Sequence, residues 1–266
     1  MTYRIDAIPA FNDNYVWCIS DREQDKALVV DPGDAAPVSA FLESRGLTLD
    51  MILLTHHHPD HSHGIKTLLR EAKVPVHGPT NSPYKGVTHE LREGDSFKWR
   101  DWQFNVLEVP GHTLDHIAFI AENTPLDVPV AFCGDALFAC GCGRLFEGTP
   151  AQMRQSLAKL RDLPERTELY CGHEYTLANV AFSLAVTPDN KELQSYESEC
   201  KRLRENDRPT LPTVLGRELR INPFLRWDSE DVEQAAEAYG QKAALDVSRE
   251  NPDQVFAAIR HWKDNF

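Results

Sequence analysis

Histidines are concentrated in one short segment of the chain. The ten residues from Thr55 read THHHPDHSHG and hold five of the eleven histidines. In extended or turn backbone, His56 and His58 point to the same side, because side chains alternate with a period of two. Asp60 and His61 follow round the turn towards a second point nearby. Imidazole and carboxylate ligands suit zinc, iron or manganese. The spacing therefore predicts two metal ions, one on each pair of residues, in preference to a solvated polar loop.

A buried strand must deliver this segment. The run Met51–Leu54 is short and apolar, which is typical of a strand inside a sheet. Pro59 and Gly64 disfavour a long helix, so we expect a loop at the carboxyl end of the strand. A second strand, predicted over residues 26–31, ends at Asp31. A carboxylate beside a metal loop can orient a ligand by hydrogen bonding, and plain turn chemistry is the alternative.

Three further polar residues follow predicted strands at turns. His112 lies in a Pro-Gly-His-Thr segment, Asp135 follows Phe-Cys-Gly, and His173 follows Tyr-Cys-Gly. Taken alone, His112 and Asp135 are weak evidence, because turns use such residues for their own hydrogen bonds. A carboxylate bridges two metals better than an imidazole does, which favours Asp135 as a bridge if a metal pair is present.

Together these motifs resemble a known family. The segment Thr-His-x-His-x-Asp-His after an apolar strand is similar to the signature of the metallo-β-lactamase superfamily. The other motifs narrow the resemblance to the glyoxalase II (hydroxyacylglutathione hydrolase) family, and it extends from residue 14 to Lys263. It implies an α+β fold, a metallo-β-lactamase-like αββα sandwich with a C-terminal all-α domain. It also implies seven metal ligands: His56, His58 and His112 at site one, Asp60, His61 and His173 at site two, and Asp135 as the bridge.

The reaction that this resemblance implies is hydrolysis. Two adjacent divalent cations lower the pKa of a shared water from ~15.7 towards ~7, and the metal-bridging hydroxide is the nucleophile. Asp60 and Asp135 are then the catalytic carboxylates. We expect two divalent ions per chain, with zinc first and iron or manganese as alternatives. A thiolate with a pKa of about 8.5 leaves largely unaided, so a thioester is compatible with a sequence that offers no obvious additional general acid.

The resemblance assigns substrate binding to two segments. Arg144 and Phe146 lie in a loop similar to the family's substrate loop, where some members have Lys and Tyr. Arg144 keeps the positive charge and can bind a carboxylate in bidentate fashion, whereas Phe146 lacks the hydroxyl group. Tyr175 matches a residue that contacts glutathione. Arg260 and Lys263, three apart on a predicted helix, align with an Arg-x-x-Lys motif that holds the glycine carboxylate of glutathione; a solvated helix end is the alternative.

Composition limits the class of protein. The chain has 266 residues, of which 41% are hydrophobic and 26% charged, an ordinary globular composition. We expect neither a membrane span nor a secretory signal, and therefore a cytoplasmic protein, as a monomer. The formal net charge of −13 disfavours nucleic acid as a partner. The six cysteines lack a Cys-x-x-Cys pair, so buried thiols are expected.

The order of predicted elements divides the chain near residue 173. Strands are expected at residues 14–20, 26–31, 51–54, 74–77, 102–109, 116–121 and 128–133, and helices at 35–46, 64–72 and 150–162. Thr149 and Gln152 resemble a capping box at the last of these helices. Further helices are expected at 175–186, 188–206, 229–239 and 252–263, with the cap signals Thr187-Pro188, Asp228-Ser229 and Asn251-Pro252 and a long connection at 207–223. We therefore predict a catalytic domain at residues 1–173 and an α-helical substrate-binding domain at residues 174–266.

The resemblance thus implies a hydrolase that converts S-D-lactoylglutathione, or a related 2-hydroxyacyl-glutathione, to glutathione and D-lactate. In the family this is the second step of methylglyoxal detoxification. A β-lactam hydrolase commonly has Cys in place of Asp135 and is exported. A persulfide dioxygenase with one iron differs by consuming oxygen. A tRNA-processing nuclease needs a basic surface, and a catalytically silent binding module is expected to lose ligands.

Overall fold

The computed structural model describes residues 2–266 as two compact units. Unit 1 runs up to Glu108 and adds Asp115–Gly134 and Thr167–Glu174. Unit 2 consists of Val109–Leu114, Asp135–Arg166 and Tyr175–Phe266. The chain therefore passes between the units several times. The domain ranges predicted from the sequence divide the chain differently and stay a prediction.

Unit 1 contains two β-sheets. The first has its strands in sequence order: β1 (Tyr3–Ala10), β2 (Asn14–Asp21), β3 (Lys26–Val30), β4 (Thr48–Leu53), β5 (Val76–Pro79) and β6 (His89–Leu91). The first three strands pair in antiparallel fashion, and β3 to β6 pair in parallel. The second sheet is formed in unit 1 by β7 (Ser96–Trp99), β8 (Trp102–Glu108), β9 (Ile117–Ala121), β10 (Val130–Gly134) and β13 (Glu168–Cys171). Their order is β13-β10-β9-β8-β7, and the β10–β13 pair is parallel.

Apolar packing joins the parts of unit 1. Helices α1 (Ala35–Arg45), α2 (Pro59–Ser62) and α3 (Ile65–Glu71) follow β3 and β4. Val38 of α1 and Leu68 of α3 are buried in one cluster with Ile52 of β4. Between the sheets, the ring of Trp17 meets that of Tyr170 edge-on with centroids 4.8 Å apart. These contacts hold the carboxyl ends of β4 and β13 in place.

Unit 2 is mainly helical. Its elements are the hairpin β11 (Leu137–Phe138) and β12 (Gly141–Cys142), α4 (Pro150–Arg161), α5 (Thr176–Val186), α6 (Lys191–Arg204), β14 (Thr213–Val214), α7 (Leu215–Ile221), the 3₁₀ turn Pro223–Leu225, α8 (Glu230–Ala243) and α9 (Pro252–Asp264). Its core includes Leu193 and Tyr196 of α6 together with Val180 of α5. Helix α9 packs against α8 and α4. Among residues 2–266, no helix has the length and apolar character needed to cross a membrane.

Most predicted elements are confirmed within a few residues. Thr149 and Gln152 form the predicted capping box, with reciprocal bonds of 3.2 Å and 2.9 Å. Gly46 ends α1 in the left-handed conformation, at φ 65°. Strand β1, which pairs along its length with β2, is absent from the prediction because its apolar residues alternate only partly. Strands β6 and β7 are too short to leave a clear pattern.

Two predictions in the C-terminal part are wrong. Residues 207–223 are not a long connection, since β14 and α7 lie within them. Helix α7 fits between two prolines of this segment, and its buried Leu215 and Ile221 provide the packing that local propensity lacks. The cap signal Thr187-Pro188 is also wrong. Thr187 ends α5, and α6 begins instead after Asn190, whose side chain accepts the Leu193 N–H at 3.0 Å.

Candidate metal centre and substrate-binding residues

The histidine-rich segment starts where β4 ends. Thr55 to His58 form a turn, and Pro59 opens the single helical turn α2. The predicted loop at the carboxyl end of a buried strand is therefore confirmed. Asp60 comes so close to Gly33 that a Cβ built on this glycine lies 1.7 Å from the Asp60 carbonyl oxygen. The approach of the two backbones requires glycine at this position.

Asp60, His61 and His173 bring three ligating atoms together within unit 1. His61 Nε2 lies 3.3 Å from His173 Nε2, and Asp60 Oδ2 lies 3.4 Å and 3.3 Å from these two nitrogens. In a tetrahedral zinc site with bonds of about 2.0–2.1 Å, neighbouring ligand atoms are roughly 3.3–3.4 Å apart. Two imidazoles and a carboxylate at this separation fit one divalent cation.

A carboxylate fixes the Nδ1 side of both rings. Asp31 Oδ2 lies 3.1 Å from His61 Nδ1, and Asp13 Oδ1 lies 2.7 Å from His173 Nδ1. Because an ionised carboxylate accepts hydrogen bonds and donates none, each Nδ1 carries the proton. Nε2 is then the ligating nitrogen in both rings. The predicted hydrogen bond from Asp31 to a candidate ligand is confirmed.

Asp31 also orients His56, through Thr55. Thr55 donates its hydroxyl to Asp31 Oδ2 at 2.7 Å and its backbone N–H to Oδ1 at 2.8 Å. The hydroxyl has a single proton, so it accepts the Nδ1–H of His56 at 3.0 Å. The rings of His56 and His58 have centroids 4.8 Å apart. One buried carboxylate therefore sets the tautomers of two candidate ligands.

Residues at the start of β9 brace the same loop. The buried ring of His116 stacks on His56 with centroids 4.5 Å apart and planes at 13°. Asp115 Oδ1 accepts from His57 Nδ1 at 2.8 Å, and Oδ2 accepts from Ser82 at 2.8 Å. Asp115 and His116 thus support the turn and the candidate ligands.

Two residues that the sequence does not predict as part of the site lie where β1 turns into β2: Asp13 in the turn and Asn14 as the first residue of β2. Asn14 donates its amide to Asp60 Oδ2 at 2.9 Å, and Asp13 holds His173, which is 160 positions away in the chain. Local spacing carries no signal over such a distance. The polar run that ends in Asp13 and Asn14, between two strands, is the sequence feature that marks this turn.

These contacts decide the charge of Asp60. Burial alone raises the pKa of this carboxyl, but the contacts with His173 and His61 outweigh burial and hold the pKa well below its ordinary range. Asn14 acts in the same direction. Asp60 is therefore ionised at neutral pH, which is the form that binds a cation.

Unit 2 carries the other two predicted ligands. His112 Nε2 lies 3.4 Å from Asp135 Oδ2, again the separation of neighbouring ligand atoms. His112 donates its Nδ1–H to the backbone carbonyl of Arg144 at 2.8 Å, so its ligating nitrogen is also Nε2. A Cβ on Gly143 would lie 2.0 Å from the Asp135 carbonyl oxygen, so glycine is required beside this pair.

Two arginines of unit 2 meet at one carboxylate. Asp264 Oδ1 lies 3.0 Å from Arg260 Nη2 and 3.5 Å from Arg144 Nε. Arg260 also donates Nη1 to the carbonyl of Cys142 at 3.0 Å, and its guanidinium lies 5.0 Å above the ring of Phe224. Arg260 is buried, whereas the Arg144 side chain is 63% exposed. A solvated helix end is therefore excluded for Arg260.

The other predicted substrate residues lie at the surface of unit 2 or just beneath it. Lys263 Nζ is half-buried, 3.4 Å from the carbonyl of Ala178, and burial together with the charge of Arg260 lowers its pKa. Phe146 is 62% exposed, with its ring 5.3 Å from that of His112. Tyr175 is partly exposed and its ring meets that of Phe138 at 5.2 Å.

The cysteines are buried thiols throughout. Cys133 and Cys171, each two positions before a predicted ligand, have their sulfurs 3.8 Å apart in the core of unit 1. Burial raises the pKa of Cys18 to about 12 and that of Cys142 to about 11. Thiols with such pKa values are neutral and unreactive at pH 7.

Comparison with known sequences matches two profiles. The profile of the metallo-beta-lactamase superfamily matches residues 13–173, and that of the hydroxyacylglutathione hydrolase C-terminus matches residues 174–266. A hydroxyacylglutathione hydrolase of Idiomarina loihiensis is 47% identical over 262 residues, which cover 98% of this chain and 99% of that protein. Another, of Hahella chejuensis, is 49% identical over 260 residues, which cover 97% and 98%.

Comparison with solved structures shows the fold. The crystal structure of ETHE1 from Myxococcus xanthus has a TM-score of 0.64 at 23% identity and covers 99% of this chain and 98% of its own. BLEG-1, a B3 metallo-beta-lactamase, has a TM-score of 0.62 at 23% identity and covers 84% of this chain and 99% of its own. The predicted α+β fold, a metallo-β-lactamase domain followed by a helical C-terminal part, is confirmed.

Proposed function

We propose that this chain, which belongs to the hydroxyacylglutathione hydrolase family of the metallo-beta-lactamase superfamily, hydrolyses 2-hydroxyacyl-glutathione thioesters. The substrate is S-D-lactoylglutathione, the products are glutathione and D-lactate, and the reaction is the second step of methylglyoxal detoxification. One observation is the main support for metal-dependent hydrolysis. The ligating atoms of Asp60, His61 and His173 are 3.3–3.4 Å apart, with both rings fixed at Nδ1 by carboxylates.

The proposed centre holds two divalent cations, with zinc as the first candidate and iron or manganese as alternatives. Both sites are rich in nitrogen ligands, which suits all three metals. Site one would be held by His56, His58 and His112, and site two by Asp60, His61 and His173, with Asp135 as a ligand shared by both. In support, a single superfamily match spans all seven residues. The separation of His112 Nε2 and Asp135 Oδ2 also equals that within the site-two set.

The chain itself fixes the protonation state and orientation of the candidate histidine ligands. When bound, the cations polarise the thioester carbonyl and lower the pKa of water towards neutrality. Asp13, Asp31 and the Arg144 carbonyl each accept an Nδ1 proton, so every one of these rings turns Nε2 to the centre. The leaving thiolate of glutathione has a pKa of about 8.5, so its departure requires no general acid from the chain.

Unit 2 provides the proposed contacts to glutathione. Arg144, Arg260 and Lys263 supply positive charge in a chain whose formal net charge is −13. Arg144 is open to solvent and can pair with a carboxylate, while Arg260 is held by Asp264 and Cys142. Phe146 and Tyr175 offer exposed ring surface. We assign the glycine carboxylate of glutathione to the basic side chains Arg144, Arg260 and Lys263, and the rest of the peptide to the rings of Phe146 and Tyr175. The proposed enzyme is monomeric and cytoplasmic.

A thioester assay tests this function directly. Metal-loaded protein is mixed with S-D-lactoylglutathione, and released thiol is measured, with S-lactoyl-N-acetylcysteamine as a matched thioester that lacks the peptide. We expect metal-dependent hydrolysis with a kcat/KM at least about tenfold higher for the glutathione thioester, equivalent to ~1.4 kcal/mol. Oxygen uptake with glutathione persulfide, without thioester hydrolysis, would identify a dioxygenase instead.

A further inference from the structure

A strained turn lies between two residues that the proposed function uses. Strands β11 and β12 pair Phe138 with Gly141, which leaves Ala139 and Cys140 as the turn. Cys140 has a φ of 53°, in the left-handed region that few residues other than glycine adopt. Strain of this kind persists where surrounding contacts over-determine the backbone. The turn is therefore expected to have strong support from outside itself.

Helix α5 supplies part of this support from one side. Asn179 donates its side-chain amide to the carbonyl of Ala139 at 3.1 Å. Ser183, one helical turn later, donates its hydroxyl to the carbonyl of Cys140 at 2.9 Å. Both side chains are buried. The two carbonyl groups of the turn are therefore satisfied by side chains rather than by water.

The segment of α7 supplies the rest. Asn222, which follows α7, donates Nδ2 to the carbonyls of Phe138 and Gly141, each at 3.1 Å. The Asn222 side chain is fully buried, and it spans the two ends of the turn. Glu218 Oε2 also lies 3.1 Å from the same nitrogen, and the two amide protons are shared among the three acceptors. One carboxylate therefore contacts the residue that joins the two ends of the hairpin.

Glu218 is at the centre of this network. It is fully buried, and its Oε2 accepts the backbone N–H of Cys140 at 2.7 Å. Its Oε1 accepts the hydroxyl of Thr213 at 2.7 Å. Burial raises the pKa of Glu218 to about 7. Burial at this position disfavours the charged form of the carboxyl. The chain nevertheless places Glu218 against the backbone N–H of the strained residue Cys140.

We propose that Glu218 is a positioning residue for thioester hydrolysis, acting through the 138–142 turn on the residues at either end of it. Asp135 lies two positions before β11, and Arg144 lies two positions after β12. Arg260 donates to the carbonyl of Cys142, at the end of the same hairpin. If the turn relaxes, the bridging carboxylate and the carboxylate-binding arginine both lose their fixed positions. This inference rests on the proposed function.

The test compares variants of the metal-loaded enzyme. Glu218→Ala removes both acceptors. Glu218→Gln keeps an oxygen for the Cys140 N–H and places its amide against the Thr213 hydroxyl oxygen, which can accept. Val232→Ala, at a buried position of α8, lowers stability without touching the turn and is the control. Hydrogen exchange of peptides covering residues 136–144, kcat, KM and metal content are measured for each.

For Glu218→Ala we expect exchange at residues 136–144 to be roughly tenfold faster than in the control, with KM raised at least about threefold because Arg144 is displaced. Glu218→Gln should restore both values to within about twofold of the unaltered protein, as a hydrogen-bonding role requires. Equal exchange in Glu218→Ala and Val232→Ala would overturn the proposal. So would a Gln variant as impaired as the Ala variant, since charge rather than geometry would then matter.

A milder variant covers the case in which Glu218→Ala does not fold. Ser183→Ala removes one bond to the Cys140 carbonyl and should accelerate exchange at residues 136–144 by a smaller factor than expected for Glu218→Ala. Unchanged exchange in Ser183→Ala would overturn the proposal. Failure of the proposed function is distinguishable: unaltered protein then fails to hydrolyse the thioester, while the exchange comparison still reports on the turn.

Discussion

Residues 55–61 of unit 1, the metal loop, and Arg144 and Arg260 of unit 2, the arginine pair, are held in different ways. In the loop, His56 and His61 are buried rings, and the oxygen that fixes each Nδ1 belongs to a buried residue. In unit 2, Arg260 is fixed by a carbonyl and a carboxylate, but Arg144 reaches the same carboxylate from solvent at 3.5 Å. The rings of the loop are buried, whereas unit 2 has one solvent-exposed arginine.

This difference suits what each region is proposed to bind. A metal ion needs ligands at fixed separations, because bond lengths vary little, so the rings must be oriented before the ion arrives. A peptide substrate enters and leaves in every cycle, and a solvent-exposed arginine can follow it. Changes in the metal loop should therefore lower kcat and metal content, whereas changes in the arginine pair should raise KM.

Asp135→Ala should have the largest effect. Loss of the proposed bridging carboxylate should disturb both cations, and Lewis-acid stabilisation is worth several kcal/mol, so kcat/KM should fall more than about a thousandfold. Metal per chain and turnover are measured on the same sample. His173→Ala is the companion variant, and it should mainly weaken metal binding at site two. Full metal occupancy with unimpaired hydrolysis in Asp135→Ala would contradict the two-metal centre.

Asp60 and Glu218 predict opposite responses to pH. The polar contacts of Asp60 lower its pKa and keep it ionised, whereas burial raises the pKa of Glu218 from 4.5 to about 7. Folded protein then binds more protons at Glu218 than unfolded protein between these pH values. The contribution of Glu218 to stability is therefore complete below pH 4.5 and is lost as pH rises to 7.

Urea unfolding checks this sign. From pH 5 to pH 8 the unaltered protein should lose up to about 3 kcal/mol relative to Glu218→Gln, since one pKa unit is about 1.4 kcal/mol. Metal binding contributes similarly to both proteins and cancels in the difference. A difference that is flat across this pH range would show that Glu218 keeps an ordinary pKa.

Asp13→Ala tests the orientation of the His173 ring without replacing a proposed ligand. Without its carboxylate, the His173 ring is free to turn or to protonate at Nε2, and loss of such partners lowers activity or metal affinity roughly 10–100-fold. Metal dissociation constants are compared with those of Glu122→Ala, which removes an exposed acid of unit 1. Equal constants would mean that the 2.7 Å contact to His173 has no role in metal binding.

Arg260→Ala and Lys263→Ala should have the smallest effects on catalysis. Each removes a proposed contact to the glycine carboxylate, far from the reacting carbonyl, so KM should rise several-fold with little change in kcat, consistent with ~1 kcal/mol per contact. The rise should shrink for a thioester that lacks this carboxylate. Because Arg260 is buried, Lys263→Ala is the cleaner test, with Lys191→Ala as a surface control. An unchanged KM in the double variant would remove these residues from the binding site.

The distance along the chain between contacting residues decides which parts of the candidate site can be predicted from the sequence. The ligands between residues 56 and 61 share one turn, so their grouping is visible in the chain, whereas His112 and Asp135 require the family resemblance to stand out. Asp13 and Glu218 are ordinary acids whose partners lie 160 and 78 positions away. Only the folded chain brings such pairs together.

The same contrast applies to the fold. Buried strands such as β3 contain continuous apolar runs, which predict them. Helix α4 is predicted by the capping box at its start. Helix α7 has a weak local signal and forms because Leu215, Glu218 and Ile221 are buried. Tertiary packing, which no short window of sequence contains, decides such elements.

Titration of metal-free protein with zinc is the most direct test of the central claim, a two-metal thioester hydrolase. Turnover of S-D-lactoylglutathione and bound zinc are measured at each addition. The account predicts that hydrolysis is absent without metal, rises with added zinc and reaches its plateau at two equivalents per chain. Full activity at one equivalent, or hydrolysis by the metal-free protein, would contradict it.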